Sequence, residues 1–165
     1  MAAPYPLLMK KRRNDGLETT VISTEAQFGM VVSELPFHFV GNPKAPAVRD
    51  WPDENGKDVY LPDSGLPLSS YDMEVTFMYK GVFDSMSEQF RSFIEYLRGG
   101  DNYGSSLTIF DTYNHVGRQD VYLKSVAPEF LLKQRVANKD GEEIARFKLT
   151  FEVCDPSTDV TLTLP

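Results

Sequence analysis

From Tyr71 to Lys80 the chain reads YDMEVTFMYK, so that Tyr71, Met73, Val75, Phe77 and Tyr79 alternate with Asp72, Glu74, Thr76, Met78 and Lys80. Successive side chains of a strand point to opposite faces, so this pattern predicts a strand buried on one face. The same period returns in IARFKLTFEVCD, where Ala145, Phe147, Leu149, Phe151 and Val153 alternate with Arg146, Lys148, Thr150, Glu152 and Cys154. Two long half-buried strands need a second layer over their apolar faces. The segment SMSEQFRSFIEYLRGG supplies one, because Met86, Phe90, Phe93, Ile94 and Leu97 fall on one stripe at helical spacing. A helix over about residues 85–98 follows, with Phe90, Phe93, Ile94 and Leu97 as its core face. Ser85 with Glu88 three residues on suggests a capping box, and Gly99-Gly100 a stop.

The remaining elements read less sharply. SSLTIFD, RQDVYLKSV and PEFLLKQRV predict strands, TYNHVG a turn, and the Asp-Gly of ANKDGEE a hairpin into the last long strand. Asp155-Pro156 ends that strand, and DVTLTLP is a short extended tail. Ahead of Leu68, eight prolines from Pro4 to Pro67 keep the chain irregular, while Asn-Gly in DENGKD predicts a hairpin between Arg49 and Leu61. One helix cannot cover both faces of so much sheet. The expected fold is therefore mainly β (α+β): an antiparallel β-sandwich or open barrel with one flanking amphipathic α-helix. Residues 1–35 are expected to form an extended N-terminal arm and residues 36–165 a single β-rich domain.

Chemistry is sparsely written. The net charge of −7 argues against a general nucleic-acid binder. The one cysteine, Cys154, excludes an internal disulfide and reads as a small strand residue. His38 and His115 stand apart, as strand and turn residues, and with one Cys they make no zinc cluster. No G-x-S-x-G, phosphate loop or dinucleotide fingerprint occurs. RGGDNYG reads as a helix stop and loop, and DENGKD lacks the spacing of a calcium loop. No catalytic, cofactor-binding or metal-binding residue is therefore assigned, and no cofactor or small-molecule substrate is expected. No apolar run of 18 residues is present, so no membrane partner is expected. The beginning, MAAPYPLLMKKRR, places apolar residues before basic ones, the reverse of a signal peptide, and suggests assembly in a cytosol. Its KKRR run reads as a solvated or partner-facing charge run.

Four stretches carry a resemblance: YDMEVTFMYKG, SMSEQFRSFIEYLRGG, LTIFDTYNHVGRQDVYLKSV and ARFKLTFEVCDPSTDV. Their order of strand, helix, strand, turn, strand and Asp-Pro-terminated strand resembles structural proteins of long-tailed bacteriophage tails, in the tail-tube, tail-terminator and distal-tail class. The resemblance spans roughly Trp51 to Val160. It implies packed antiparallel sheets with a flanking helix, a ring-shaped homo-oligomer, no catalysis, and residence in the virion tail after assembly in the host cytoplasm. The implied partners are the chain itself and neighbouring tail proteins, with DNA passing non-specifically through a lumen.

Such a protein works through its surfaces. Val21, Ile22, Phe28, Met30, Val31 and Val32 make residues 1–35 too apolar to float in water. They are expected either to clasp a neighbouring subunit or to join the chain's own sheet. Asp101, Asn102 and Tyr103 are the second expected contact. Two other functions compete. One is a tube component of a contractile secretion machine; the other is a monomeric ligand-binding β-sandwich with Tyr103, Tyr113 and Tyr122 in a concave site.

Overall fold

The computed structural model describes residues 3–34, 37–82, 85–135 and 142–165. Ten strands and two helices are described, in the order β1 (Leu7–Arg12), β2 (Ile22–Ser23), α1 (Thr24–Phe28), β3 (Met30–Val32), β4 (Val48–Arg49), β5 (Asp58–Val59), β6 (Tyr71–Val82), α2 (Met86–Arg98), β7 (Ser106–Asp111), β8 (Val116–Val126), β9 (Leu132–Arg135) and β10 (Glu142–Val153). The fold is mostly β: an antiparallel sheet curled into a half-barrel, in the order β2-β1-β7-β8-β10-β6-β3, with β9 also paired to β10. Of the two predicted architectures, the open barrel holds and the sandwich does not. The curl brings β3 back to the chain leading into β1, where Tyr5 and Val32 exchange backbone hydrogen bonds of 2.8 and 2.9 Å.

The two alternating segments are the longest strands of this sheet and neighbours in it. β6 and β10 pair along their whole length, from Tyr71 opposite Val153 to Val82 opposite Glu142. Met73, Val75, Phe77, Tyr79, Ala145, Phe147, Leu149, Phe151 and Val153 are buried on the concave face, as the period-two pattern predicts. α2 lies across that face. Phe93 and Leu97 are wholly buried, while Phe90 and Ile94 are half-buried and pack on the same core. Phe93 meets the sheet edge-on at Phe77, with ring centroids 5.1 Å apart, and Phe77 stacks on Phe147 at 5.8 Å. The capping box does not form. Ser85 has helical backbone angles, whereas a capping residue needs an extended backbone to aim its hydroxyl at the first turn, and no capping bond is made. The predicted stop does form: Gly99 takes a left-handed φ of 83° and its N–H closes onto Tyr96 and Glu95 carbonyls.

Of the two readings of the N-terminal arm, the one in which it joins the chain's own sheet holds: residues 7–12, 22–23 and 30–32 are strands of that sheet. β1 runs between β2 and β7, with Leu7 opposite Asp111 and Met9 opposite Ile109, and β3 pairs with β6. Leu7, Met9 and Lys11 face the concavity, while Leu8 packs on the convex side against Phe110 and Leu162. Both faces of β1 are covered, so Leu7-Leu8-Met9 reads as a continuous apolar run without alternation. A second helix, α1, adds to the single one expected; Ser23 accepts from the Ala26 N–H at its start, at 3.5 Å.

The tail forms no strand. It crosses the convex face, with the Val160 N–H donating to the Gly117 carbonyl and Leu162 buried against Leu8 and Phe110. A Cβ at residue 117 would collide with the Val160 carbonyl oxygen, so this close crossing requires glycine. PEFLLKQRV contributes only β9. The hairpin expected in ANKDGEE falls largely on residues 136–141, outside the described residues.

A charge pair with a buried lysine ties the first strand to the helix end. Lys11 is fully buried; its Nζ donates to both carboxylate oxygens of Asp101 at 2.7 Å and sits 4.0 Å above the Tyr96 ring. Burial pushes the Lys11 pKa down, and the Asp101 carboxylate pulls it back up. Asp101→Asn should therefore cost about 1–3 kcal/mol near neutral pH, because a buried ammonium loses its counter-charge. In that variant the folded pKa lies further below the ordinary lysine value of 10.5. The deficit against the native chain should therefore shrink as pH rises through the folded value towards 10.5. Urea melts of both chains between pH 7 and 10.5 check this; a deficit independent of pH would contradict it.

Candidate interaction surface

Between β3 and β6 the chain leaves the sheet. Asn42 accepts from the Ser69 N–H, Pro67 from the Lys44 N–H, and Ala47 from the Tyr60 N–H, so two strands rise together and end in the β4–β5 pair. The Asn-Gly turn closes them as predicted, with Gly56 at a φ of 81°. Every residue from 47 to 61 is exposed. Five of these are large and apolar: Val48, Trp51, Val59, Tyr60 and Leu61, with Tyr60 69% and Leu61 65% exposed. A two-stranded hairpin is marginal by itself in water, and this one buries none of its apolar side chains in the subunit.

Its root, by contrast, is fastened. Phe37 is buried in the core. Gly41 is buried beside Pro156 and Leu68. The Arg118 guanidinium, itself buried, pairs with Asp159 and donates to the His38 carbonyl at 3.3 Å. The His38 ring stacks on Tyr71 with centroids 4.2 Å apart. A rigid root therefore carries a projecting apolar hairpin. Sequence reading finds the turn but assigns it no function, because five spaced apolar residues among charges carry no period.

A second apolar feature lies at the far end of β8. Phe90, Val126, Pro128, Phe130 and Phe147 line an open groove of about 330 Å³. Phe130 meets Phe90 and Phe147 edge-on at 5.3 and 6.1 Å, and Leu131 beside it is 59% exposed.

The interface residues expected from sequence are mostly inside. Phe28, Met30 and Val32 are buried in the chain's own core, which removes them as a clasp on a neighbour. Ile22 is half-buried against the same core, and Val21 packs beside Leu8, Phe110 and Leu162. Val31 is half-buried opposite Met78. Of the second group, Asp101 holds Lys11, Asn102 sits at a left-handed φ of 67°, and Tyr103 is exposed. These three lie at the β1–β7 end, lining clefts with Arg13 rather than touching the hairpin.

The tyrosines of the ligand-binding alternative do not converge. Tyr103 and Tyr113 flank opposite ends of β7, and Tyr122 lies on β8 donating to Glu152 at 2.6 Å. Tyr113 stacks on Tyr5, whose hydroxyl donates to buried Asp111. Burial, and then that bond, raise the Tyr5 pKa.

Cys154 lies just past β10 and is exposed, which corrects its placement on the strand. Burial of its sulfur and the nearby Glu152 and Asp120 raise its pKa, opposite to an activated thiol. His115 occupies the β7–β8 turn at a φ of 57°. Among the described residues no three His, Cys, Asp or Glu side chains gather as metal ligands, and no helix is long and apolar enough to cross a membrane. Neither a protein-family model nor a curated protein matches the chain.

Proposed function

We propose that this protein is a non-enzymatic structural subunit of a bacteriophage tail, forming a ring of identical copies at a tube, adaptor or distal position. The observation behind this reading is the hairpin of residues 47–61, which presents Trp51, Tyr60 and Leu61 to solvent on a fastened root. Exposed apolar side chains gathered on one short hairpin mark a candidate site for another protein. The helix across the concave face agrees with the flanking helix that the resemblance implies, although it lies on one curled antiparallel sheet rather than on packed sheets. A net charge of −7 suits a wall past which DNA slides without sticking.

The test is negative-stain microscopy of the purified chain. Closed rings of uniform diameter are expected, and dispersed single particles would contradict the reading. A tube component of a contractile secretion machine would expose the same surface. Phage structural genes on both sides of the coding sequence favour the first assignment, and secretion genes the second.

A further inference from the structure

We infer that the C-terminal tail governs the hairpin of residues 47–61: seated, it locks the hairpin root, and lifted, it frees the root and weakens docking. This rests on the reading of the hairpin as the self-association surface and names what regulates it.

Tail and root meet at two points. Pro156 packs on Gly41, where an added Cβ would lie 3.2 Å from the Pro156 Cβ and 3.5 Å from that of Leu68. Further along the tail, Asp159 pairs with Nη1 of Arg118, which also donates to the Gly117 carbonyl at 2.9 Å. Nη2 of the same guanidinium donates to the carbonyls of His38 at 3.3 Å and Phe39 at 3.5 Å, both in the root. Arg118 is 2% exposed, whereas the Asp159 side chain is 85% exposed. A buried charge that holds the root is therefore neutralised by a surface group of the tail.

The tail can lift without unpicking the sheet, because it joins no strand. Past the turn in which Asp155 accepts from the Ser157 and Thr158 N–H groups, it is held by Asp159, by the Val160 N–H on Gly117, and by Leu162. Leu162 is buried with Leu8 and Phe110 in a small cluster apart from the main core. Segments so held open locally, at less than the cost of global unfolding. Opening takes Asp159 away from Arg118. A buried guanidinium without its counter-charge is strongly unfavourable, so Arg118 turns towards water and releases the His38 and Phe39 carbonyls. The root loses its charged anchor, and the hairpin its fixed direction. Linkage is reciprocal, so a docked hairpin in turn holds the tail down.

Hydrogen exchange by NMR tests the coupling in the Trp51→Ser, Tyr60→Ser, Leu61→Ser chain, where docking is removed and cannot itself protect the hairpin. Adding Leu162→Ser unseats the tail away from the root. The Lys44 and Ser69 amides, which bond across the root to Pro67 and Asn42, should then exchange about tenfold faster, while amides of the β6–β10 ladder keep their rates. Asp159→Ala, at an exposed position, should do the same, and it decides the matter if Leu162→Ser loosens the whole ladder. Unchanged Lys44 and Ser69 rates in Asp159→Ala would overturn the proposal, as would equal acceleration throughout the ladder. Sedimentation velocity with the native hairpin reads the consequence: Asp159→Ala should weaken self-association about tenfold. If the native chain assembles and Asp159→Ala assembles equally well, the tail does not regulate docking and the proposal fails. If the native chain is monomeric, the self-association reading fails instead, and the exchange rates still decide whether the tail locks the root.

Discussion

Removing residues 2–12 is expected to abolish folding. The deleted segment contains β1, which pairs with β2 on one side and β7 on the other, and Tyr5, whose bridge to Val32 joins the two ends of the curl. Leu7 and Met9 are wholly buried, and truncating a single side chain of this kind to alanine costs about 2–5 kcal/mol. Two such losses already approach the total stability of an ordinary domain, about 5–15 kcal/mol. The deletion also strips the paired edges of β2 and β7 and exposes Leu8's partners Phe110 and Leu162. The shortened chain should show a random-coil amide spectrum by NMR and no cooperative melt. A soluble product with native circular dichroism would mean that β1 is dispensable, and would contradict its place between β2 and β7.

Phe93→Ala should cost about 3–5 kcal/mol, with the helix content retained at low denaturant. Phe93 is the point where three elements meet. Its ring lies 5.1 Å from Phe77 on the sheet and 5.1 Å from Phe28 on α1, and it is wholly buried. The cavity opens between the helix and the sheet, where a rigid strand backbone limits collapse. Guanidinium melts read the change. A loss under about 1 kcal/mol would mean that α2 is only loosely seated.

The contrast between β6 and β1 shows how much of the fold is legible in the sequence. β6 and β10 are long and covered on one face, so their side chains alternate between oil and water and the letters show it. β1 is short, buried on both faces, and ends in a basic run whose second member, Lys11, points inward to Asp101. Nothing local distinguishes that lysine from its exposed neighbours; its partner is 90 residues away. The amphipathic stripe of α2 identifies the layer that covers the concavity. α1, at five residues, is too short to carry a period. Of the functional surface, the Asn-Gly turn is legible because a turn is a local event. The groove is not, because Phe90, Phe130 and Phe147 come from three separate segments. The misplaced interface has one cause. Apolar residues without a period suggest a side chain with no partner in its own chain, yet β3 and α1 pack them into its core.

Sedimentation velocity of the full chain beside a Trp51→Ser, Tyr60→Ser, Leu61→Ser variant tests self-association through the hairpin most directly. These residues are exposed in the subunit, so the substitutions should leave its fold and thermal melt unchanged. The native chain is predicted to sediment as a discrete multi-copy species that persists on dilution, and the variant as an 18.7 kDa monomer. A native chain that sediments as a monomer at every concentration would contradict self-association, and a variant that assembles as well as the native chain would contradict the role of the hairpin.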